Sequence, residues 1–178
     1  MNTILNIIIG IIKKLFKQEN VENLILNDFR EKDVEGITPG SSFEKRFTPN
    51  FRYGELALDV EARRFIHQYQ CNTALFLCKF LEKLRISEIV NKSAIRITSG
   101  YRTPEINSKT PNASTTSEHL YNEPDKGGVD IFISGVDMDK VYEWLDNNWP
   151  YSLGDGRHLG FIHIGIRPGR PRVRWTYS

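Results

Sequence analysis

The chain has 178 residues, 26% of them charged, and a formal net charge of +2. That length fits one domain with a short appendage and suffices to bury a core. The near-neutral balance excludes a nucleic-acid-binding composition, although Arg167, Arg170, Arg172 and Arg174 make the last stretch locally basic.

Thr3 to Phe16 reads TILNIIIGIIKKLF. This apolar run is shorter than the roughly 20 residues a membrane span requires. Lys13, Lys14 and Lys17 follow it, whereas a secretory leader carries its positive charge first, so no signal peptide is expected. Drawn as an amphipathic helix over residues 1–18, it puts Asn6, Gly10, Lys13, Lys14 and Lys17 on one stripe, with isoleucines and leucines over the rest. So wide an apolar face requires a cover. The covers to weigh for residues 3–17 are its own domain or a second copy, another protein of an assembly, and a membrane surface. Localisation stays open. Residues 19–46 read as a linker and 47–178 as the main domain.

Within that domain, Val60 to Gln68 is expected to be helical. Gln70 to Ile86 shows clear helical periodicity through Cys71, Ala74, Leu75, Cys78, Leu81 and Leu84. Seven residues of helix rise about 10 Å, so Cys71 and Cys78 cannot pair and read as core thiols. His67 has no partner pattern and reads as a structural histidine. Ala94 to Thr98 alternates as a strand. Thr103 to Thr116 is rich in Thr, Ser, Asn and Pro and reads as a loop. Val129 to Ile133 is a second strand, and Asp137 to Asn147 a short helix. Gly160 to Arg167 and Val173 to Tyr177 follow as strands joined by a hairpin turn at Pro168–Pro171. Trp144, Trp149 and Trp175 suit core and rim positions. Helices first, then strands, imply an α+β fold: a small, mainly antiparallel sheet with helices packed on it.

Two histidines and a carboxylate stand on short, Gly-bounded segments: Ser117-Glu118-His119, Gly127-Gly128-Val129-Asp130 and Phe161-Ile162-His163-Ile164. A lone histidine in a strand is usually structural. The combination of His119, Asp130 and His163 instead suits one zinc ion on the sheet, with a fourth position open for water. Upstream, Ile97-Thr98-Ser99-Gly100-Tyr101-Arg102 is a strand ending in a turn that delivers an arginine. A metal and an arginine together can polarise a carbonyl for attack by water.

In these segments the chain resembles the zinc D-alanyl-D-alanine carboxypeptidase family, which includes bacterial carboxypeptidases and phage endolysins that cut peptidoglycan stem peptides. Ser99-Gly100-Tyr101-Arg102, Ser117-Glu118-His119, Gly128-Val129-Asp130 and Phe161-Ile162-His163 follow the family's order. Phe51–Leu56 resembles its opening segment and Arg172-Val173-Arg174-Trp175 its closing strand. The resemblance covers residues 47–177. It implies that His119, Asp130 and His163 bind zinc, and that Arg102 holds the substrate carbonyl or carboxylate. Tyr101 and Ser117, beside these residues, join as substrate-binding candidates. A phage product carried in a virion, or released by lysis, would fit.

The chain departs from the family pattern twice. His119 and Asp130 are eleven apart where seven is usual, which places about four extra residues within Tyr121 to Lys126; a surface turn would absorb them at little cost. The acidic residue three before the last histidine is replaced by Gly160, and the aspartate frequent two after it by Gly165. The proton-transfer group therefore falls to Asp155 or His158 on an expected turn just upstream, or to Glu118, next to a ligand. A reading of another class is a binding or structural module on the same fold with hydrolysis lost, as in Hedgehog signalling domains.

Overall fold

The computed structural model describes residues 43–66 and 70–178. The expected N-terminal helix, most of the linker and His67 lie outside the described residues. The described part opens with a small hairpin of β1 (Arg46–Thr48) and β2 (Phe51–Arg52). It continues through α1 (Tyr53–Ala57) and a second two-stranded pair, β3 (Leu58–Asp59) with β4 (Arg64–Phe65). The long helix α2 spans Cys71–Arg85, as its periodicity predicts, and both cysteines on it are buried and form no disulfide.

A five-stranded sheet carries the rest. Its strands are β5 (Ile95–Ser99), β6 (Gly127–Ile133), β7 (Ser152–Gly156), β8 (Phe161–Ile166) and β9 (Arg174–Thr176). They lie in the order β5-β6-β8-β7-β9, and every pairing is antiparallel except that of β7 with β9. Two further helices are α3 (Pro104–Lys109) and α4 (Met138–Asn148). The sheet is thus small and mainly antiparallel, as the sequence implies.

The two faces of the sheet differ in kind. Val129, Ile131, Ile133, Leu153, Ile162, Ile164 and Ile166 alternate onto one face, and all are fully buried. On the other face lie Gly128, Asp130, His163, Gly165, Ser152 and Gly154, which are small, polar or both. Alternation with period two separates these sets along each strand. Trp149 closes the core beside Phe80, with ring centroids 4.5 Å apart, and its indole N–H donates to the Ser152 carbonyl at 2.8 Å. Trp144 packs on Phe80 from α4 at 5.8 Å.

Four expectations need correction. Residues 60–66 are not helical. The Asp59 carboxylate accepts from Ala62 N at 3.0 Å, and Arg63 takes a left-handed φ of 52°, so the chain turns into β4 instead. The Thr-, Ser- and Asn-rich loop contains α3, which starts with Thr103 as N-cap and Pro104 in the first turn, both strong initiators. Gly154-Asp155-Gly156 is part of strand β7, not a turn; its glycines leave room for aromatic rings, since a Cβ on Gly154 would lie 2.7 Å from both the Trp175 and Tyr177 rings. Pro168–Pro171 is no hairpin turn, because β7 lies between β8 and β9.

The arginines that make the tail basic are engaged in ion pairs and hydrogen bonds. Arg174 donates to Asp146 Oδ1 at 2.6 Å and to the carbonyls of Trp149 and Tyr151, and Arg172 joins the same aspartate at 2.7 Å. Arg170 pairs with Asp125 at 3.0 Å. These guanidinium groups tie the last strand to the end of α4 and to the turn before β6.

Glu82 on α2 anchors the first hairpin. Its Oε1 accepts from Thr48 Oγ1 at 2.7 Å and Asn50 N at 2.8 Å, and its Oε2 from Asn50 Nδ2 at 2.8 Å. Burial pushes the carboxyl up, but these hydrogen bonds outweigh it and hold the folded value below the ordinary 4.5. A depressed carboxylate contributes stability that is present above its unfolded pKa and is lost as pH falls through the folded one. Glu82→Gln is therefore expected to cost about 1–2 kcal/mol at pH 7, or about 3–6 °C in thermal midpoint. The gap to wild type should narrow as pH falls below 4.5. Thermal melts of both proteins from pH 7 to pH 3 check this.

Candidate metal centre

The three ligand candidates reach one point by separate routes. Asp130 and His163 are direct register partners on the adjacent strands β6 and β8, so their side chains leave the same face. His119 comes from a short 3₁₀ turn, Glu118–Leu120, that the Ser117 side chain caps by accepting from His119 N at 3.3 Å. Tyr121 ends the turn in a left-handed conformation, φ 47°, with its ring buried and its hydroxyl donating to the Gly128 carbonyl at 3.3 Å. Asn122, Glu123 and Pro124 are exposed and take up the extra length between His119 and Asp130 at the surface.

All three side chains are buried, and one ligand atom from each lies within 4.8 Å of the others. The proton arrangement decides what they can hold. His119 Nδ1 lies 2.7 Å from the Gly100 carbonyl, which can only accept, so Nδ1 carries the proton and Nε2 a lone pair. That Nε2 is buried, makes no hydrogen bond, and lies 3.3 Å from Asp130 Oδ1. A lone pair facing a carboxylate oxygen in a buried site calls for a cation between them. Burial lowers the His119 pKa, and the Asp130 charge opposes it only in part, so the imidazole stays neutral and free to ligate. His163 Nδ1 meets the same Asp130 oxygen at 2.7 Å. Burial would raise the Asp130 carboxyl, but the hydrogen bond and charge of His163 help bring it far below the ordinary range. Two imidazole nitrogens and one carboxylate oxygen converging in this way form a donor set that fits zinc.

Outside the triad, Glu118 is buried and Arg102 is half-buried. Glu118 Oε2 accepts from His163 Nε2 at 2.5 Å, and its Oε1 accepts from Ser152 Oγ at 2.6 Å and Arg167 Nε at 2.5 Å. Burial raises its pKa, and these partners overcome that to hold it at about 2. Burial would lower that of His163, but hydrogen bonds to Asp130 and Glu118 carry it to about 9. Arg102 has a buried Nε with no hydrogen-bond partner. Burial lowers its pKa, with the Asp130 charge foremost among the opposing effects. The backbone around it is firmly held: Tyr101 N donates to Leu56 O at 2.8 Å, Arg102 N to His119 O at 2.8 Å and Thr103 N to Asp59 Oδ2 at 2.7 Å.

The structure does not bring every candidate to the triad. Asp155 pairs in register with Ile162, a core residue, and so leaves the sheet on the face opposite His163. There Arg157 grips both its oxygens, at 2.8 and 2.6 Å, and stacks over Tyr142 of α4. His158 stands exposed on the turn between β7 and β8. Ser117 serves as the cap described above, and the Tyr101 ring meets Tyr121 edge-on at 6.2 Å. An aromatic wall went unread in the sequence: Trp175 and Tyr177 flank the His163 ring at centroid distances of 5.3 and 6.5 Å. Its sequence trace is Gly154, which makes room for both rings.

A family model described as Peptidase M15 matches residues 49–165, which takes in Arg102 and all three ligand candidates. The chain belongs to the Peptidase M15 family. Members of this family are zinc-dependent peptidases that act on peptidoglycan. Among curated proteins and among solved structures, none matches the chain.

The protein is expected to bind one zinc per chain and to gain thermal stability from it, because a metal that binds only the folded state stabilises that state. Asp130→Ala should weaken zinc binding by more than about 100-fold, since even outer-shell changes cost 10–100-fold. Metal titration followed by calorimetry on both proteins checks this.

Proposed function

We propose that the protein is a zinc metallopeptidase that hydrolyses peptide bonds in peptidoglycan stem peptides. The observation that carries this reading is the buried, unprotonated His119 Nε2 facing Asp130 beside His163, with the unpartnered Nε of Arg102 in the same region. Bound at the triad, zinc would acidify a water molecule and polarise the carbonyl under attack. The chain's own groups then have separate tasks. His119, Asp130 and His163 hold the ion. Arg102 offers fixed donors to a substrate carboxylate or to the oxygen that gains charge in the transition state. Its backbone hydrogen bonds hold the turn from which that fork extends.

For proton transfer we keep His158 as the candidate. It is exposed on the turn that leads into β8, whereas Asp155 faces α4 in an ion pair and Glu118 is enclosed with both oxygens engaged. The Trp175 and Tyr177 rings beside His163 supply an apolar wall for a peptide. The finer choice is between trimming a terminal D-alanine and cutting an internal bond of the endolysin type. A charged Arg102 close to the triad favours capture of a free carboxylate, and hence the carboxypeptidase.

Mass spectrometry of purified peptidoglycan after incubation, with and without chelator, tests the reading. Loss of one alanine mass from pentapeptide stems, abolished by chelation and restored by zinc, is the expected result. Opened cross-links would identify an endopeptidase, and no chelator-sensitive product would favour the module that has lost hydrolysis. Arg102→Ala should lower kcat/KM about 100- to 1000-fold with zinc content unchanged. His158→Ala should lower kcat by about 100-fold or more with zinc content unchanged.

A further inference from the structure

The row Gly128, Gly165 and Ser152 runs straight across β6, β8 and β7, each residue the register partner of the next. It lies on the site face, one step along from Asp130, His163 and Gly154. The Glu118 side chain lies over it. A Cβ on Gly165 would stand 2.1 Å from Glu118 Oε2, and one on Gly128 would stand 2.7 Å from His163 Cε1 and 3.0 Å from Glu118 Cβ. Any larger side chain at either position would collide with the carboxylate or with the imidazole it holds. A built space therefore exists for a carboxylate that arrives from outside the sheet.

We propose that Glu118 is the positioning residue that fixes which nitrogen of His163 faces the metal, in the space that Gly128 and Gly165 leave for it. The geometry is specific. His163 Nε2 donates to Glu118 Oε2 at 2.5 Å, and Nδ1 faces Asp130 Oδ1 at 2.7 Å. With Nε2 committed as a donor to Glu118, Nδ1 is the nitrogen left on the side of Asp130 and the triad. Ser152 and Arg167 hold the other carboxylate oxygen, so the side chain cannot rotate away without losing both. A histidine ligand whose far nitrogen donates to a carboxylate is oriented and made more basic by it. Glu118 is also unsuited to accept a substrate proton, since its side chain is only 3% exposed and both oxygens are engaged. It acts through His163. The same geometry gives Gly165 a function: it keeps the strand clear for a carboxylate supplied by the turn beside His119.

This proposal rests on the metal-centre reading, and the test separates the two. Zinc affinity of the full chain would be measured by competition with a chromophoric chelator for wild type, Glu118→Gln and Glu118→Ala. Nitrogen-resolved NMR would follow the His163 ring in the zinc-loaded proteins. Zinc binding should weaken about 10-fold in Glu118→Gln and up to about 100-fold in Glu118→Ala. The His163 Nε2 proton should be protected from exchange in wild type and lost to rapid exchange in Glu118→Ala. A role confined to stability would lower the melting temperature without altering that signal. Wild-type protein that binds no zinc would overturn the metal-centre reading and this proposal with it. Wild-type protein that binds zinc while both variants match it within twofold, with the Nε2 proton still protected, would overturn this proposal alone. If Glu118→Ala does not fold, Glu118→Gln decides by the same criteria.

Discussion

The register between β6 and β8 is the constraint on which the site depends. Asp130 stands directly opposite His163. A slip of one residue would send one of the pair into the isoleucine face and leave its charge or imidazole unsatisfied there. The apolar residues flanking each of the two, Val129 and Ile131 on one strand and Ile162 and Ile164 on the other, are fully buried. The core thus specifies the register and the register specifies the ligand pair. The third ligand needs only a short turn, whose tautomer is set by a single carbonyl, that of Gly100.

Building a metal centre on a sheet face requires room for rings where side chains would normally stand. Here that room comes from Gly128, Gly154 and Gly165, which share the face with the ligands. Glycine weakens a strand by its larger loss of conformational freedom. The opposite, all-aliphatic face offsets that cost. Arg174 adds to it by fastening β9 through Asp146 and two backbone carbonyls, which keeps Trp175 and Tyr177 against the glycine-lined surface.

The sequence made some of this legible. The strands carrying Ile97, Ile131 and Ile164 show the alternation that a half-apolar sheet imposes, and α2 shows a helical period. Asp130 and His163 were visible because histidine and aspartate in strands rich in isoleucine are costly without a partner, and His119 because it stands with them in the family's motif order. Strand β7 was not legible, because Gly154 and Gly156 look like turn residues until the rings above them are known. The six-residue helix α3 is too short to show a period, and its cap and proline were masked by a loop-like composition. The parallel docking of β9 on β7 depends on long-range pairing, which local pattern does not encode. Glu118 was misleading for a different reason: its neighbour is a ligand, and only the 3₁₀ turn reveals that both side chains reach one site.

The segment before α2 has a place in this economy that its composition does not suggest. Leu56 O receives the Tyr101 N–H, and the same oxygen lies so near Gly100 that a Cβ there would approach it to 2.4 Å. Asp59 receives the Thr103 N–H with one oxygen and that of Ala62 with the other. Arg102 is thus held between two anchors, the Leu56 carbonyl and the Asp59 carboxylate, from a segment 44 positions before Thr103. Burial pushes the Asp59 carboxyl up, and its hydrogen bonds with Ala62 and Thr103 bring it below the ordinary value, so it stays charged at neutral pH. Such bonds to a charged acceptor are each stronger than neutral ones. An arginine on an unsupported turn would lose much of its advantage to side-chain and loop entropy. Residues 51–59 therefore belong to the machinery that presents Arg102, and the two-stranded pairs around them are the scaffold for that presentation.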